Sequence, residues 1–85
     1  MDVMHRNRVR KQYVKVRADF CLDGSIVPLK FRTEEGCAVL IDQILDVRQA
    51  PSLKSGGQGT RYTCRVGESL LYLFHDRELW FVERA

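Results

Sequence analysis

The chain has 85 residues, of which 45% are hydrophobic and 29% charged, and its formal net charge at pH 7 is +3. This length allows one small domain, and no apolar run approaches the roughly 20 residues that a membrane-spanning helix needs. The first twelve residues carry charge throughout and have no apolar centre. We therefore expect no secretory signal, a cytoplasmic location and no membrane contact.

The positive charge is concentrated near the N-terminus. Residues 1–17 hold six basic residues and one acidic residue (+5), whereas the remaining eight basic and ten acidic residues give −2. We predict a flexible basic arm over residues 1–12 and a β domain over residues 13–85. Such an arm either approaches nucleic acid through its phosphates or acts as a solubilising tail.

The first predicted element is a β-hairpin over Tyr13–Thr33, with Asp23-Gly24 as a two-residue loop. This register places apolar pairs on one face of the hairpin: Phe20 with Val27, Ala18 with Leu29, and Val16 with Phe31. It places cationic pairs on the other face: Lys15 with Arg32, and Arg17 with Lys30.

Like charges directly opposite one another cost roughly 0.2–1 kcal/mol per pair, so these cations indicate either an anionic partner or internal neutralisation. Asp42 and Asp46 are the acids that could neutralise them, near Lys30 and Arg48. If the partner is nucleic acid, the predicted contact surface is Lys15, Arg17, Lys30, Arg32, Arg10, Lys11 and Tyr13, with Tyr13 stacking on a base.

A second reversal follows at Glu34-Glu35-Gly36, where a three-residue loop with a left-handed Gly36 sets Phe31 opposite Val39 and Leu29 opposite Ile41. The next segment, residues 37–50, fits both a helix and a strand. We favour a long, bent strand because the segment continues the hairpin, is rich in β-branched residues and lacks a good N-cap.

The glycine-rich segment Pro51–Gly59 predicts a loop at which regular strand pairing stops. Its glycines and flanking cations make a candidate phosphate-binding loop of Lys54, Gly56, Gly57, Gly59 and Arg61. The GxxxxGK[ST] spacing is absent, so a simple connection between strands is the alternative.

Three further segments complete the predicted sheet: Arg61–Val66, Leu70–Phe74 and Leu79–Arg84. Two-residue turns would align two core rows: Tyr62, Leu73 and Trp80, and then Cys64, Leu71 and Val82. The second segment is apolar on both faces, which indicates a curled sheet or a partner. We predict an all-β fold, a single small barrel or strongly curled antiparallel sheet of about six strands, SH3-like in size.

No pattern of catalytic or metal-binding residues is present. The cysteines Cys21, Cys37 and Cys64 lack metal-ligand spacing, and alternation places Cys64 in the core. His5 and His75 have no acidic or thiol neighbour that suggests a triad, so both are predicted to be surface residues. We expect no enzyme activity, cofactor or metal.

The segment LDVRQAPSLKSGGQGTRYTCRV, followed by YLF and WFVE, resembles short bacterial all-β proteins of unknown function that carry a GGxGxRY motif. The resemblance covers residues 13–84. It implies an association with genes for translesion DNA polymerases and DNA repair, and it supplies no catalytic residues.

The sequence thus predicts a non-enzymatic β-barrel module that contacts nucleic acid or a DNA-repair assembly through the basic hairpin face. The alternative is a protein-interaction or homodimerisation module that uses an apolar aromatic sheet face of Leu70, Tyr72, Phe74 and Phe81.

Overall fold

The computed structural model describes residues 12–51 and 58–84, which form seven antiparallel strands without a helix. The strands are β1 (Gln12–Phe20), β2 (Ile26–Arg32), β3 (Ala38–Leu40), β4 (Gln43–Pro51), β5 (Gln58–Val66), β6 (Ser69–Asp76) and β7 (Leu79–Arg84). Their order in the sheet is β3-β2-β1-β7-β6-β5-β4. The all-β prediction is confirmed. The predictions for the basic arm, including Arg10, Lys11 and His5, lie outside the described residues.

The sheet curls into a half-barrel because its two edge strands are neighbours in the chain. β3 and β4 lie at opposite edges of the sheet, but only Ile41 and Asp42 separate them. The Ile41 amide donates to the Leu29 carbonyl at 3.0 Å, and the next amide, Asp42, donates to the Arg65 carbonyl at 2.9 Å. Two consecutive residues therefore join both halves of the sheet. The predicted strand structure of residues 37–50 is confirmed, but the single long, bent strand is wrong, because the segment forms two strands at opposite edges of the sheet.

The loops at both ends of β2 have the same form. The Gly24 amide donates to the Cys21 carbonyl, the Gly36 amide donates to the Thr33 carbonyl, and both bonds measure 2.9 Å. Gly24 and Gly36 have φ angles of 91° and 93°, in the left-handed region that glycine enters without strain. The three-residue loop at Gly36 is confirmed. The two-residue loop predicted at Asp23-Gly24 is wrong, because Leu22 also belongs to the turn.

A β-bulge restores the predicted register in the outer part of the hairpin. Near the loop, Ala18 pairs with Pro28 and Phe20 with Ile26, so the predicted pairs with Leu29 and Val27 are wrong. The register shifts between Arg17 and Ala18. Beyond the shift, the pairs are as predicted: Lys15 with Arg32, Val16 with Phe31, and Arg17 with Lys30. Pro28 explains the bulge, because proline has no amide to donate to a regular ladder.

The last hairpin is displaced by two residues from its predicted register. The pairs of β5 with β6 are as predicted, with Tyr62 opposite Leu73 and Cys64 opposite Leu71. On β7, however, the partner of Leu73 is Val82, and Arg84 lies opposite Leu71. The turn falls at Arg77-Glu78, and Arg77 has a φ of 61°. A left-handed arginine gives no signal in the sequence, which is why the turn was misplaced.

Pairing between β4 and β5 extends further than the glycine-rich segment predicts. Pro51 still pairs with Gln58, and Ala50 with Gly59. The prediction that regular pairing stops at Pro51 is therefore wrong. The predicted sites at Lys54, Gly56 and Gly57 lie outside the described residues.

The core occupies the inner face of the curl. Tyr62, Cys64 and Leu73 are its buried centre, against which Val14, Val16, Ile41, Ile44, Leu71, Trp80 and Val82 pack. The Tyr62 hydroxyl donates to the Ile26 carbonyl at 3.0 Å and so attaches the first hairpin to β5. The opposite face of β6 and β7 is also covered, since Phe74 and Phe81 are each only 1% exposed. The two-sided burial predicted for Leu70–Phe74 is confirmed for Leu73 and Phe74, whereas Leu70 is exposed.

Candidate nucleic-acid interface

The four cations of the first hairpin surround a surface cleft of about 500 Å³. We call this feature the basic cleft. It is lined by Lys15, Val16, Arg17, Ala18, Phe20, Lys30, Phe31, Arg32 and Ala38. Strand alternation and the direct pairing of β1 with β2 bring the cations together. The cleft thus includes all four cations of the predicted basic face, together with Val16, Ala18 and Phe31, which alternation places on the opposite, core-facing side of the hairpin.

The cations of the basic cleft are not neutralised by the described part of the chain. The side chains of Lys15, Arg17 and Lys30 form no hydrogen bond or ion pair with residues 12–51 or 58–84. The Arg32 guanidinium donates to the Gly36 carbonyl at 3.3 Å, which leaves its charge unopposed. Four positive charges thus remain available to an anion.

The two acids expected to oppose these cations are engaged elsewhere. An Asp42 carboxylate oxygen accepts a hydrogen bond from the Gly67 amide at 2.6 Å. Asp46 forms an ion pair with Arg48 at 2.7 Å on β4, and this bond lowers the pKa of the Asp46 carboxyl. Neither acid is bonded to the basic cleft. The alternative of internal neutralisation by Asp42 and Asp46 is wrong.

Tyr13 lies at the N-terminal end of the cationic face. It shares a second depression, of about 310 Å³, with Val14, Lys15, Arg32, Thr33 and Glu34. Its ring is 40% exposed and meets Phe81 edge-on, with 5.8 Å between the ring centroids. The structure therefore brings Tyr13 close to two of the predicted cationic contacts, and one acid, Glu34, borders the same depression.

An aromatic row continues from Tyr13 across the same face of the sheet. The Phe81 and Phe74 rings stack at 5.1 Å, and Phe74 meets Tyr72 edge-on at 6.4 Å. The Arg61 guanidinium lies over the Tyr72 ring, 4.5 Å from its centroid. Because Phe74 and Phe81 are buried, the predicted aromatic contact surface does not offer these two rings to a partner. Homodimerisation itself stays a prediction.

Gly59 and Arg61 lie within β5, not in a loop. A Cβ at Gly59 would lie 2.7 Å from the His75 carbonyl oxygen, so glycine is needed there for close approach of β6. Arg61 is engaged with Tyr72. The structure thus shows both residues in contacts within the sheet, and phosphate binding by this segment stays a prediction.

Phe20 is the site residue that the sequence reasoning missed. It was placed on the core face opposite Val27, but it is 77% exposed and lines the basic cleft. The signals were Pro28, which forces a bulge, and the extra residue in the loop at Gly24. Together they give Phe20 the partner Ile26 in place of Val27.

The cysteines and the described histidine form no reactive set. Cys64 is fully buried, and burial raises the pKa of its thiol to about 11, whereas Cys21 and Cys37 are exposed. His75 stacks on Trp80 with 4.0 Å between ring centroids, so it is a packed residue and not the ordinary surface histidine predicted. Within residues 12–51 and 58–84, no three acidic, cysteine or histidine side chains are grouped to hold a metal.

Comparisons with known proteins leave the family of this chain open. No family model matches it, and neither a curated protein nor a solved structure matches it. The association with DNA-repair genes stays a prediction. No helix in the described ranges is long and apolar enough to cross a membrane.

Proposed function

We propose that this chain is a non-enzymatic nucleic-acid-binding module whose basic cleft contacts phosphates. The observation that carries the proposal is the set of opposed cations, Lys15 with Arg32 and Arg17 with Lys30, which have no acidic partner among the described residues. This arrangement destabilises the free hairpin and is relieved by an anion. The sugar–phosphate backbone of a nucleic acid supplies several anions at regular spacing, which suits cations repeated along two strands.

The alternative anion, a single small phosphate or carboxylate, fits the cleft less well. The cleft is open and of about 500 Å³, and its cations come from two residue pairs along the strands. A small anion would contact one pair and leave the other unopposed. A polymer contacts both pairs, and each phosphate contact adds to affinity through release of counterions.

The test compares two doubly neutralised variants of equal net charge. In Arg17→Gln/Lys30→Gln, two cations of the basic cleft are lost; in Arg77→Gln/Arg84→Gln, two exposed arginines outside it are lost. Binding of labelled single-stranded and duplex DNA and RNA is measured by fluorescence anisotropy over a range of salt concentrations. We expect wild-type affinity to fall steeply with salt, and the first variant to bind at least tenfold more weakly than the second.

The slope of the salt dependence gives a second readout. For single strands the slope of log K against log salt changes by about 0.7 for each phosphate contact. We therefore expect the cleft variant to lose about 1.4 from the wild-type slope, and the control variant to lose much less. Equal losses in both variants would show that net charge, and not the cleft, governs binding.

Light scattering separates this proposal from the homodimer alternative. We expect a monomer that binds nucleic acid. A stable dimer without affinity for any of the four nucleic acids would contradict the proposal and favour a protein-interaction module.

A further inference from the structure

We infer that the basic cleft takes a single-stranded polynucleotide, with one base stacked on the ring of Phe20. This inference rests on the proposed function and deepens it, since cations alone do not distinguish single strands from duplexes. Phe20 is the only aromatic residue among the exposed residues that line the basic cleft. Proteins that bind single strands combine cations for the phosphates with aromatic rings for the bases, and the basic cleft is lined by both.

The exposure of Phe20 has no explanation within the described chain. Its partner across the hairpin, Ile26, is half-buried, whereas 77% of Phe20 remains in water. Leaving a large aromatic ring in water forfeits the free energy that its burial would give. A base covers such a ring and recovers that free energy, because every base has a flat face that stacks on an aromatic side chain.

Stacking on Phe20 favours a single-stranded nucleic acid over a duplex. In a duplex the faces of the bases are occupied by their neighbours, so only phosphates and groove edges are offered to a protein surface. In a single strand the bases are free to turn toward an aromatic ring while the phosphates reach the cations. A cleft that combines Lys15, Arg17, Lys30 and Arg32 with an exposed ring therefore fits the single strand better.

Leu22 provides a matched control. It lies in the adjoining loop and is fully exposed, but it does not line the basic cleft. If the tip of the hairpin inserted into a lipid surface, Leu22 would contribute at least as much as Phe20. If a base stacks in the cleft, only Phe20 matters.

The experiment measures binding of the full chain and its Phe20→Ala, Phe20→Trp and Leu22→Ala variants. The probes are unstructured single strands of DNA and of RNA, of about 12 nucleotides, and a DNA duplex of equal charge. Vesicles of anionic and neutral phospholipid test the lipid surface. Because both residues are exposed, the variants should keep the far-ultraviolet spectrum and melting temperature of the wild type, which are measured first.

We expect Phe20→Ala to weaken single-strand binding about 5- to 100-fold and to change duplex binding less than twofold. Phe20→Trp should restore single-strand affinity, and Leu22→Ala should match the wild type. A stronger effect on DNA or on RNA would identify the preferred single strand. Quenching of stacked fluorescent bases by the wild type, but not by Phe20→Ala, would support the stacked geometry directly.

Other results would overturn the inference. If Phe20→Ala binds single strands as the wild type does, or loses duplex binding equally, stacking on Phe20 is excluded while the proposed function stands. Vesicle binding that depends on Leu22 and Phe20 alike would replace the polynucleotide with a lipid surface. If the wild type binds neither single strands nor duplex at low salt, the proposed function itself fails.

Discussion

The β1–β2 hairpin and the β4–β5 hairpin both expose basic side chains, but only the second supplies partners for them within the described chain. Arg48 pairs with Asp46, Arg61 lies over Tyr72, and Arg65 donates to the Gln43 side chain and the Gly67 carbonyl. In the first hairpin, Lys15, Arg17 and Lys30 have no such contact among residues 12–51 and 58–84.

This difference separates cations that make contacts within the folded chain from cations that make none. Arg61 and Arg65 contact residues of neighbouring strands, and Arg48, which lies opposite Arg61, pairs with Asp46 on its own strand. The cations of the basic cleft repel one another across β1 and β2, so their arrangement opposes folding of the hairpin. The apolar residues do not follow this division, because β4 exposes Leu45 and Val47 just as the first hairpin exposes Phe20 and Leu22.

The cysteines give the sharpest chemical contrast between the two regions. Cys64 in β5 is buried with a pKa of about 11, so at pH 8 about one thiol in a thousand is ionised. Cys21 and Cys37 lie exposed at the hairpin loops. We expect iodoacetamide to add two groups per folded molecule, and mass spectrometry of peptides to place them on Cys21 and Cys37.

The third group should add only after denaturation in urea. Rapid labelling of Cys64 in the folded protein would show that its thiol is accessible to solvent and contradict its burial in the core. Because burial raises the Cys64 pKa, the unfolded thiol ionises first, and the fold should lose stability as the pH rises from 9 toward 11.

Truncation of apolar side chains should separate the same two regions in stability. Leu73→Ala empties the centre of the core and should lower the free energy of unfolding by about 2–5 kcal/mol. Phe20→Ala removes a larger but exposed side chain and should change it by less than about 0.5 kcal/mol. Urea denaturation followed by tryptophan fluorescence measures both. Equal losses would show that Phe20 is part of the core and contradict its role in the cleft.

The close approach of β5 and β6 should depend on Gly59. Gly59→Ala places a methyl group against the His75 carbonyl and should cost about 1–3 kcal/mol of stability, as overpacking usually does. Ser69→Ala, at an exposed position of β6, is the control and should be close to neutral. If Gly59→Ala is also neutral in urea denaturation, the close contact with β6 does not require glycine at this position.

Charge reversal should have opposite signs in the two hairpins. Lys30→Glu replaces a like-charge pair with Arg17 by an opposite-charge pair and should raise the free energy of unfolding by about 0.2–1 kcal/mol. The same variant should bind nucleic acid more weakly. Arg65→Glu removes the hydrogen bonds to the Gln43 side chain and the Gly67 carbonyl and should lower stability without affecting binding. Thermal unfolding at low salt measures both changes. Destabilisation by Lys30→Glu would mean that Lys30 contributes to the fold.

Local chemistry predicted most of this fold. Gly36 determined a three-residue loop, and alternation of apolar and basic residues gave the cationic pairs of the first hairpin. The β-branched content of residues 37–50 predicted strand structure there, but not the division into β3 and β4. The register near the loop could not be predicted in this way. The extra loop residue, Leu22, and the bulge at Pro28 each shift the pairing of β1 with β2 by one residue, and the two shifts cancel beyond Arg17.

The site was predicted less completely, because exposure depends on tertiary contacts. Phe20 and Phe81 are both phenylalanines of β-strands, yet the first lines an open cleft and the second is buried and stacks on Phe74. The turn at Arg77 could not be predicted from the sequence, because it contains no glycine. The pairing of β6 with β7 places Arg77 in the left-handed conformation. The engagement of Asp42 with the Gly67 amide likewise joins residues 25 positions apart.

The most direct test of nucleic-acid binding by the basic cleft is to map where nucleic acid contacts the folded chain. Backbone amide signals of the ¹⁵N-labelled protein are followed by NMR during titration with an unstructured single-stranded oligonucleotide. The account predicts the largest shifts at residues 15–20 and 30–32, with little change at residues 61–65 of β5. Shifts centred on β4 and β5, or none at low salt, would contradict it.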